Sequence, residues 1–361
     1  AKVRTIDGRT AMKRLLRVAA LATSVSAIAV GAQAESVLIA NDPGPNRGVR
    51  AAAVNYFSDQ LAIATNGAVR VENNWGGALF KTTAAVDSIG LGVADMGVGV
   101  GPYAQSEMPE LNIGGQPMPP AGPWVMMKAL DDLFANNEQI KQRMAEKGLV
   151  YLNAYSLPPS LLACNDELIQ TTDDVAGVKI SNTGTTSELF GRFDGNMVDM
   201  PIYEVYQSMQ TGLIVCTVTF SYFAVATQLH ELLATMAPLD LPATTVVLTV
   251  MNKDAFDGLS ADAQAGVMAA AASMSDYYGE QLEKADTAAL DAMRAAGVQD
   301  LSFTADEQKA MQVAKQPNIE EWLADAEATG HDGQAVYNEF LSYVQKWQAT
   351  LDVDGFPWAP S

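Results

Sequence analysis

The sequence predicts an α/β protein of two lobes spanned by one long helix. Three observations carry this. Strand-like and helix-like stretches alternate from Val37 onward, Pro158-Pro159 interrupts the alternation near mid-chain, and an Ala-rich run without proline extends from Ser260 through Ala296. Alternation of this kind argues for helices packed on largely parallel sheets. The 36 residues after Ser260 would extend ~54 Å as one helix, further than a small lobe is wide.

Residues 1–11 carry no usable pattern. From Met12 the chain reads as an export leader: Lys13, Arg14 and Arg17 precede an apolar run, Val18 to Gly31, and Ala32-Gln33-Ala34 offers the small residues a signal peptidase reads. Cleavage is expected before Glu35. The apolar run is shorter than the ~20 residues of a membrane span, and the first cysteine is Cys164, so no lipid anchor is expected. Removing residues 1–34 takes away six basic residues and one acidic, which moves the net charge from −20 to near −25. That sign argues against nucleic acid or an anionic membrane surface as partner.

The mature chain opens with a strand at Val37–Ala40, a turn at Asn41-Asp42-Pro43-Gly44-Pro45 and a helix from about Arg47 to Thr65 burying Val49, Ala53, Phe57 and Leu61. A strand at Val69–Asn73, a helix at Thr82–Gly90 and a strand at Met96–Val100 follow. A helix over Trp124–Glu146 then feeds the strand Leu149–Tyr155. Past Pro158-Pro159 the runs Leu161–Cys164, Val178–Ile180, Met197–Met200 and Leu213–Val218 read as strands, with a helix at Ile202–Thr211. Thr244–Met251 returns the chain to the first lobe. The expected boundaries are 35–155 with about 245–260 for the first lobe, 156–244 for the second, 260–297 for the spanning helix and 298–361 for terminal helices packed on the lobes. A kink is expected at Gly279, and Thr304 with Glu307 forms a capping box.

Enzyme chemistry finds little support. The chain has neither a Gly-x-Ser-x-Gly elbow nor a phosphate loop, and Gly97-Val98-Gly99-Val100-Gly101 has the wrong spacing for a dinucleotide fingerprint. Two Cys and two His make no zinc pattern, so neither cofactor nor metal is expected. Cys164 and Cys216 read either as a disulfide or as two small buried apolar side chains.

Asp174-Val175-Ala176-Gly177-Val178-Lys179-Ile180, then Glu204-Val205-Tyr206-Gln207-Ser208-Met209-Gln210-Thr211-Gly212, resembles the solute receptors of TRAP (tripartite ATP-independent periplasmic) transporters. Gly92-Val93-Ala94-Asp95-Met96 and the entry to the Ala-rich helix are similar too. The resemblance covers essentially the mature chain. It implies a two-lobed periplasmic solute-binding protein that closes on a small molecule by hinge motion and docks to two membrane subunits without being membrane-embedded.

The resemblance breaks at the ligand contacts. Most relatives have Arg after the Gly-x-Lys-x stretch, where it pairs with the solute's carboxylate; this chain has Ser181. Asp-Gly-x-Glu-Asn is replaced by Val215-Cys216-Thr217-Val218-Thr219. The candidate replacement is Arg47, at the start of the first helix, where free N–H groups add to its charge; the alternative is a solvated surface Arg. Arg50 and Arg192 have weaker claims. Trp75, Tyr103, Phe220 and Tyr222 are candidate cleft walls, and Ser181, Asn182 and Thr219 candidate polar contacts. Aromatics in place of charged clamps point to a small organic acid that is aromatic or weakly polar. The alternatives are a neutral solute, the binding protein of an ATP-driven transporter and a periplasmic hydrolase.

Overall fold

A computed structural model describes residues 36–104, 108–182, 185–241 and 245–359. The leader and its cleavage point lie outside the described residues. In the first lobe the chain forms β1 (Ser36–Asn41), α1 (Gly48–Ala64), β2 (Val69–Asn74), α2 (Ala85–Gly90), β3 (Met96–Val100), α3 (Pro123–Asn136), α4 (Glu138–Glu146) and β4 (Leu149–Tyr155). The second lobe follows with β5 (Leu161–Cys164), β6 (Lys179–Ser181), α5 (Thr185–Gly191), β7 (Asn196–Val198), α6 (Val205–Gln210), β8 (Cys216–Thr219), α7 (Ser221–Ala226) and β9 (Thr235–Pro238). The chain returns through β10 (Val247–Asn252) and closes with α8 (Lys253–Asp257), α9 (Ala261–Ala272), α10 (Met274–Ala295), β11 (Gln299–Asp300), α11 (Ala305–Lys315), α12 (Pro317–Ala328) and α13 (Gly333–Asp354).

The first sheet has the order β2-β1-β3-β10-β4, and the second β11-β9-β5-β8-β6-β7. Both are mixed rather than largely parallel. β1 runs parallel to β2 and β3, but β10 is antiparallel to β3 and β4. In the second sheet β5 is antiparallel to β8 and β9. The reason is topological: β4 leads across to β5 and β9 leads back to β10, and each crossing inserts a reversed strand. β10 is buried along its whole length, as a strand covered on both faces must be. Cys164 and Cys216 sit opposite each other on β5 and β8 and are disulfide-bonded.

The helices differ from the sequence expectation in three places. Residues 124–146 form two helices, because Asn137 leaves helical geometry (φ −72°, ψ 115°) and its side chain caps the second by accepting from Ile140 N at 3.0 Å. The long run breaks at Ser273, whose hydroxyl donates to Ala270 O at 2.7 Å, and not at Gly279. Gly279 serves close packing instead: a Cβ there would stand 2.8 Å from the Trp358 ring. The Thr304–Glu307 box is half formed. Thr304 caps α11, while the Glu307 carboxylate accepts from Thr172 N at 2.7 Å and ties α11 to the second lobe.

α10 spans both lobes. Met274, Tyr278 and Leu282 are buried in the core around the first sheet, and Met293 in the core beside the second. α13 lies on the first lobe, where Trp347 meets Trp124 edge to face at 5.7 Å. None of the described helices is long and apolar enough to cross a membrane.

The disulfide joins positions 52 apart in sequence, and closing a loop of that length restricts the unfolded chain by about 4 kcal/mol. Replacing both cysteines with Ser should lower unfolding free energy toward that amount, read as a lower urea midpoint that no longer responds to reductant.

Candidate functional site

The sequence Asn41-Asp42-Pro43-Gly44 turns off the end of β1 and places Asp42 beneath the first turn of α1. Asp42 Oδ1 accepts from Gly44 N at 2.8 Å, an Asx turn, and Oδ2 accepts from the Arg50 guanidinium. Both side chains are buried, at 8 % and 2 % exposure for Arg50 and Asp42. Gly44 is required here, since a Cβ would fall 1.9 Å from an Arg50 nitrogen. Burial opposes the charged guanidinium, but Tyr203 and Asp42 facing it outweigh that, and its pKa is pushed further up. Arg50 stays cationic.

Arg50 reaches a cavity of about 960 Å³ of empty space, partly open to solvent, between the two lobes. The first lobe supplies Tyr103, Asn112 and Tyr155, the second Asn182, Thr186 and Phe220, and α10 supplies Tyr278. Tyr203, Tyr222 and Phe223 complete an aromatic enclosure in which Arg50 is the one charged side chain among the described residues. Tyr203 and Phe223 meet edge to face at 5.4 Å. Burial pushes Tyr155, Tyr203, Tyr222 and Tyr278 above the ordinary tyrosine value, so their hydroxyls remain protonated donors. The lobes touch across the cavity mouth, where the Tyr103 hydroxyl accepts from Ile202 N at 3.0 Å.

Residues 42–325 match the model of the bacterial extracellular solute-binding proteins, family 7. The chain belongs to that family, whose members are receptors of TRAP transporters. It is 26% identical to a solute-binding protein of Albidiferax ferrireducens over 69% of this chain and 74% of that one. It is 25% identical to the ectoine-binding periplasmic protein TeaA of Halomonas elongata over 62% of this chain and 65% of that one. A marine-metagenome TRAP solute-binding protein specific for aromatic acid ligands shares the fold, with TM-score 0.79 and 21% identity, over 87% of this chain and 99% of that one.

The eight candidate residues of this TRAP receptor separate into two groups. Tyr103, Asn182, Phe220 and Tyr222 line the cavity. Arg47, Trp75, Ser181 and Thr219 do not. Arg47 is the exposed N-cap of α1, with extended backbone (φ −159°, ψ 160°). There it donates to Ala226 O and, at 3.4 Å, to Gln228 Oε1. Ser181 is buried in β6 beside β8, donating to Thr217 Oγ1 at 2.8 Å, and Thr219 is fully buried in β8. Trp75 lies in the turn after β2, away from the cavity walls. Arg192 is committed elsewhere, to Asn318 at 2.5 Å and Glu321 at 3.1 Å.

Arg50 was recoverable from helical spacing. It lies three and seven residues before Ala53 and Phe57 on the buried face of α1, and a guanidinium there needs a buried carboxylate. Tyr155 and Tyr278 read as core residues, because only the approach of the second lobe leaves space beside them.

Asp42→Asn should leave a buried cation without its counter-charge and cost about 3–5 kcal/mol, read in urea unfolding. Gly44→Ala should also destabilise, by displacing Arg50. Arg47→Ala, which removes an exposed hydrogen bond to Ala226 O but no cavity wall, should lower the unfolding free energy by no more than about 1 kcal/mol.

Proposed function

We propose that this TRAP receptor captures a small aromatic or weakly polar monocarboxylate in the periplasm and passes it unaltered to its membrane subunits. Arg50 is the anion contact and the tyrosine cage the site for the ring. The observation that carries the reading is a single buried guanidinium in an otherwise neutral, aromatic cavity. Asp42 occupies part of Arg50, but a guanidinium has five N–H donors in a planar fork and can serve a second carboxylate. The aromatic acids bound by the marine relative and the ectoine bound by the Halomonas relative agree with a small organic acid. We further infer that the mature chain starts at Glu35, which N-terminal sequencing of exported protein tests directly.

One observation favours a second reading. Asp42 already balances Arg50, so a solute whose own charges cancel, a zwitterion of ectoine's kind, meets a cavity of matching neutrality.

Mass spectrometry of the solute that copurifies, followed by titration calorimetry with aromatic acids, their primary amides and ectoine, separates the two. The aromatic-acid reading expects the acids to bind, the amides to fail and Arg50→Ala to weaken binding by about 2–5 kcal/mol. Arg50→Lys should restore only part, since an ammonium lacks the paired donors. Unchanged affinity for Arg50→Ala would sink the assignment, and binding of ectoine but of no aromatic acid would favour the zwitterion.

A further inference from the structure

Lys315 ends α11 in the seam between the lobes, far from any role in the ligand cavity. Its side chain is 2 % exposed, and among the described residues its Nζ has no hydrogen-bond partner. Burial pushes the amine down to about 8, against a weaker supporting charge from Glu188. Glu188 does not satisfy it: its carboxylate accepts from Asn318 Nδ2 at 2.5 Å and forms no ion pair with Lys315 among the described residues. An amine with three donors and no acceptor is among the most costly groups to bury.

Lys315 also walls a cavity of about 460 Å³ of empty space, partly open to solvent. Its other walls come from both lobes: Pro117, Met118 and Pro120 after β3, and Asp240 and Leu241 on the return toward β10. Gln312 and Gln316 stand beside Lys315. No residue is shared between this cavity and the one at Arg50.

We propose that this seam cavity is a second binding site, taking a small monocarboxylate whose charged end is held by Lys315. The lysine stem has four rotatable carbons, so the amine can swing into the cavity its own side chain walls. The prolines, Met118 and Leu241 suit a short alkyl chain. Asp240, whose carboxylate accepts from Gln312 at 3.5 Å, sets a negative charge at the cavity and selects against a second carboxylate on the ligand. Because both lobes build the walls, an occupant adds contacts to the closed form.

The test uses sodium propionate, with sodium chloride at equal ionic strength as control, on the full chain. Calorimetry and thermal unfolding are run on the parent, Arg50→Ala and Arg50→Ala with Lys315→Met. Arg50→Ala, which lacks the guanidinium of the ligand cavity, should keep saturable propionate binding and its rise in melting temperature. Adding Lys315→Met should lower propionate affinity at least tenfold below that of Arg50→Ala while melting no lower than Arg50→Ala. Equal propionate affinity with and without Lys315→Met overturns the proposal, as does absence of propionate binding from Arg50→Ala. If Lys315→Met does not fold, the parent decides by NMR: the Lys315 Cε resonance, assigned with Lys315→Arg, moves with propionate and not with chloride, or the site does not exist.

Discussion

The buried pair between Arg50 and Asp42 organises this molecule. Two charges out of water are tolerated only when they meet each other and their remaining donors and acceptors are met as well. That requirement shapes the surrounding chain. Asp42 must turn back on Gly44 N, Gly44 must lack a side chain, and the turn after β2 is stitched on by Gly76 N to Gly44 O and Gly77 N to Asp42 O, both at 2.9 Å. The outcome is a cation held at the cavity wall by rigid backbone. The resemblance implies an arginine at the position of Ser181 on the second lobe; here the cavity's guanidinium comes from the first helix of the first lobe. Under the proposed function, that would place the contact with the solute's charge on the opposite wall.

Several hydrogen bonds join the lobes, beside an apolar contact in which Phe220, Tyr222 and Phe223 pack into the core of the first lobe. Tyr103 receives Ile202 N across the cavity mouth, and Arg47 reaches Ala226 O beside it. At the far side α12 bridges both lobes: Trp322 donates to Pro109 O at 2.7 Å, while Asn318 and Glu321 hold Arg192. The residue unable to join this scheme is Lys315, whose buried amine finds no partner in the same seam.

Most strands, the first helix and the crossing at Pro158-Pro159 were legible in the sequence, because periodicity and turn residues report local geometry; β9 and the two-residue β11 were not read. Errors fell where geometry depends on packing. Ala-rich sequence reads as one helix through Ser273, since nothing local distinguishes a break there from Gly279, and Gly279 is set aside for the Trp358 and Trp124 rings. Asn137 was hidden for the same reason. It is a tolerable helical residue until the chain turns to cover the first sheet and uses it as a cap.

What the sequence determined by itself was the class of the protein, the order of most of its elements and the absence of the usual arginine at Ser181, because these reside in residue identity and spacing along one chain. It also named three of the cavity's aromatic residues, Tyr103, Phe220 and Tyr222, together with Trp75, which lies elsewhere. Only the tertiary structure put Arg50, and not Arg47, on the cavity wall. The two lie three residues apart on one helix end; Arg47 is exposed at the N-cap, while an aspartate eight residues upstream draws Arg50 inward. Tyr155 and Tyr278 become cavity walls for a similar reason: a cleft is a space left between two lobes, and no single segment encodes the distance between them.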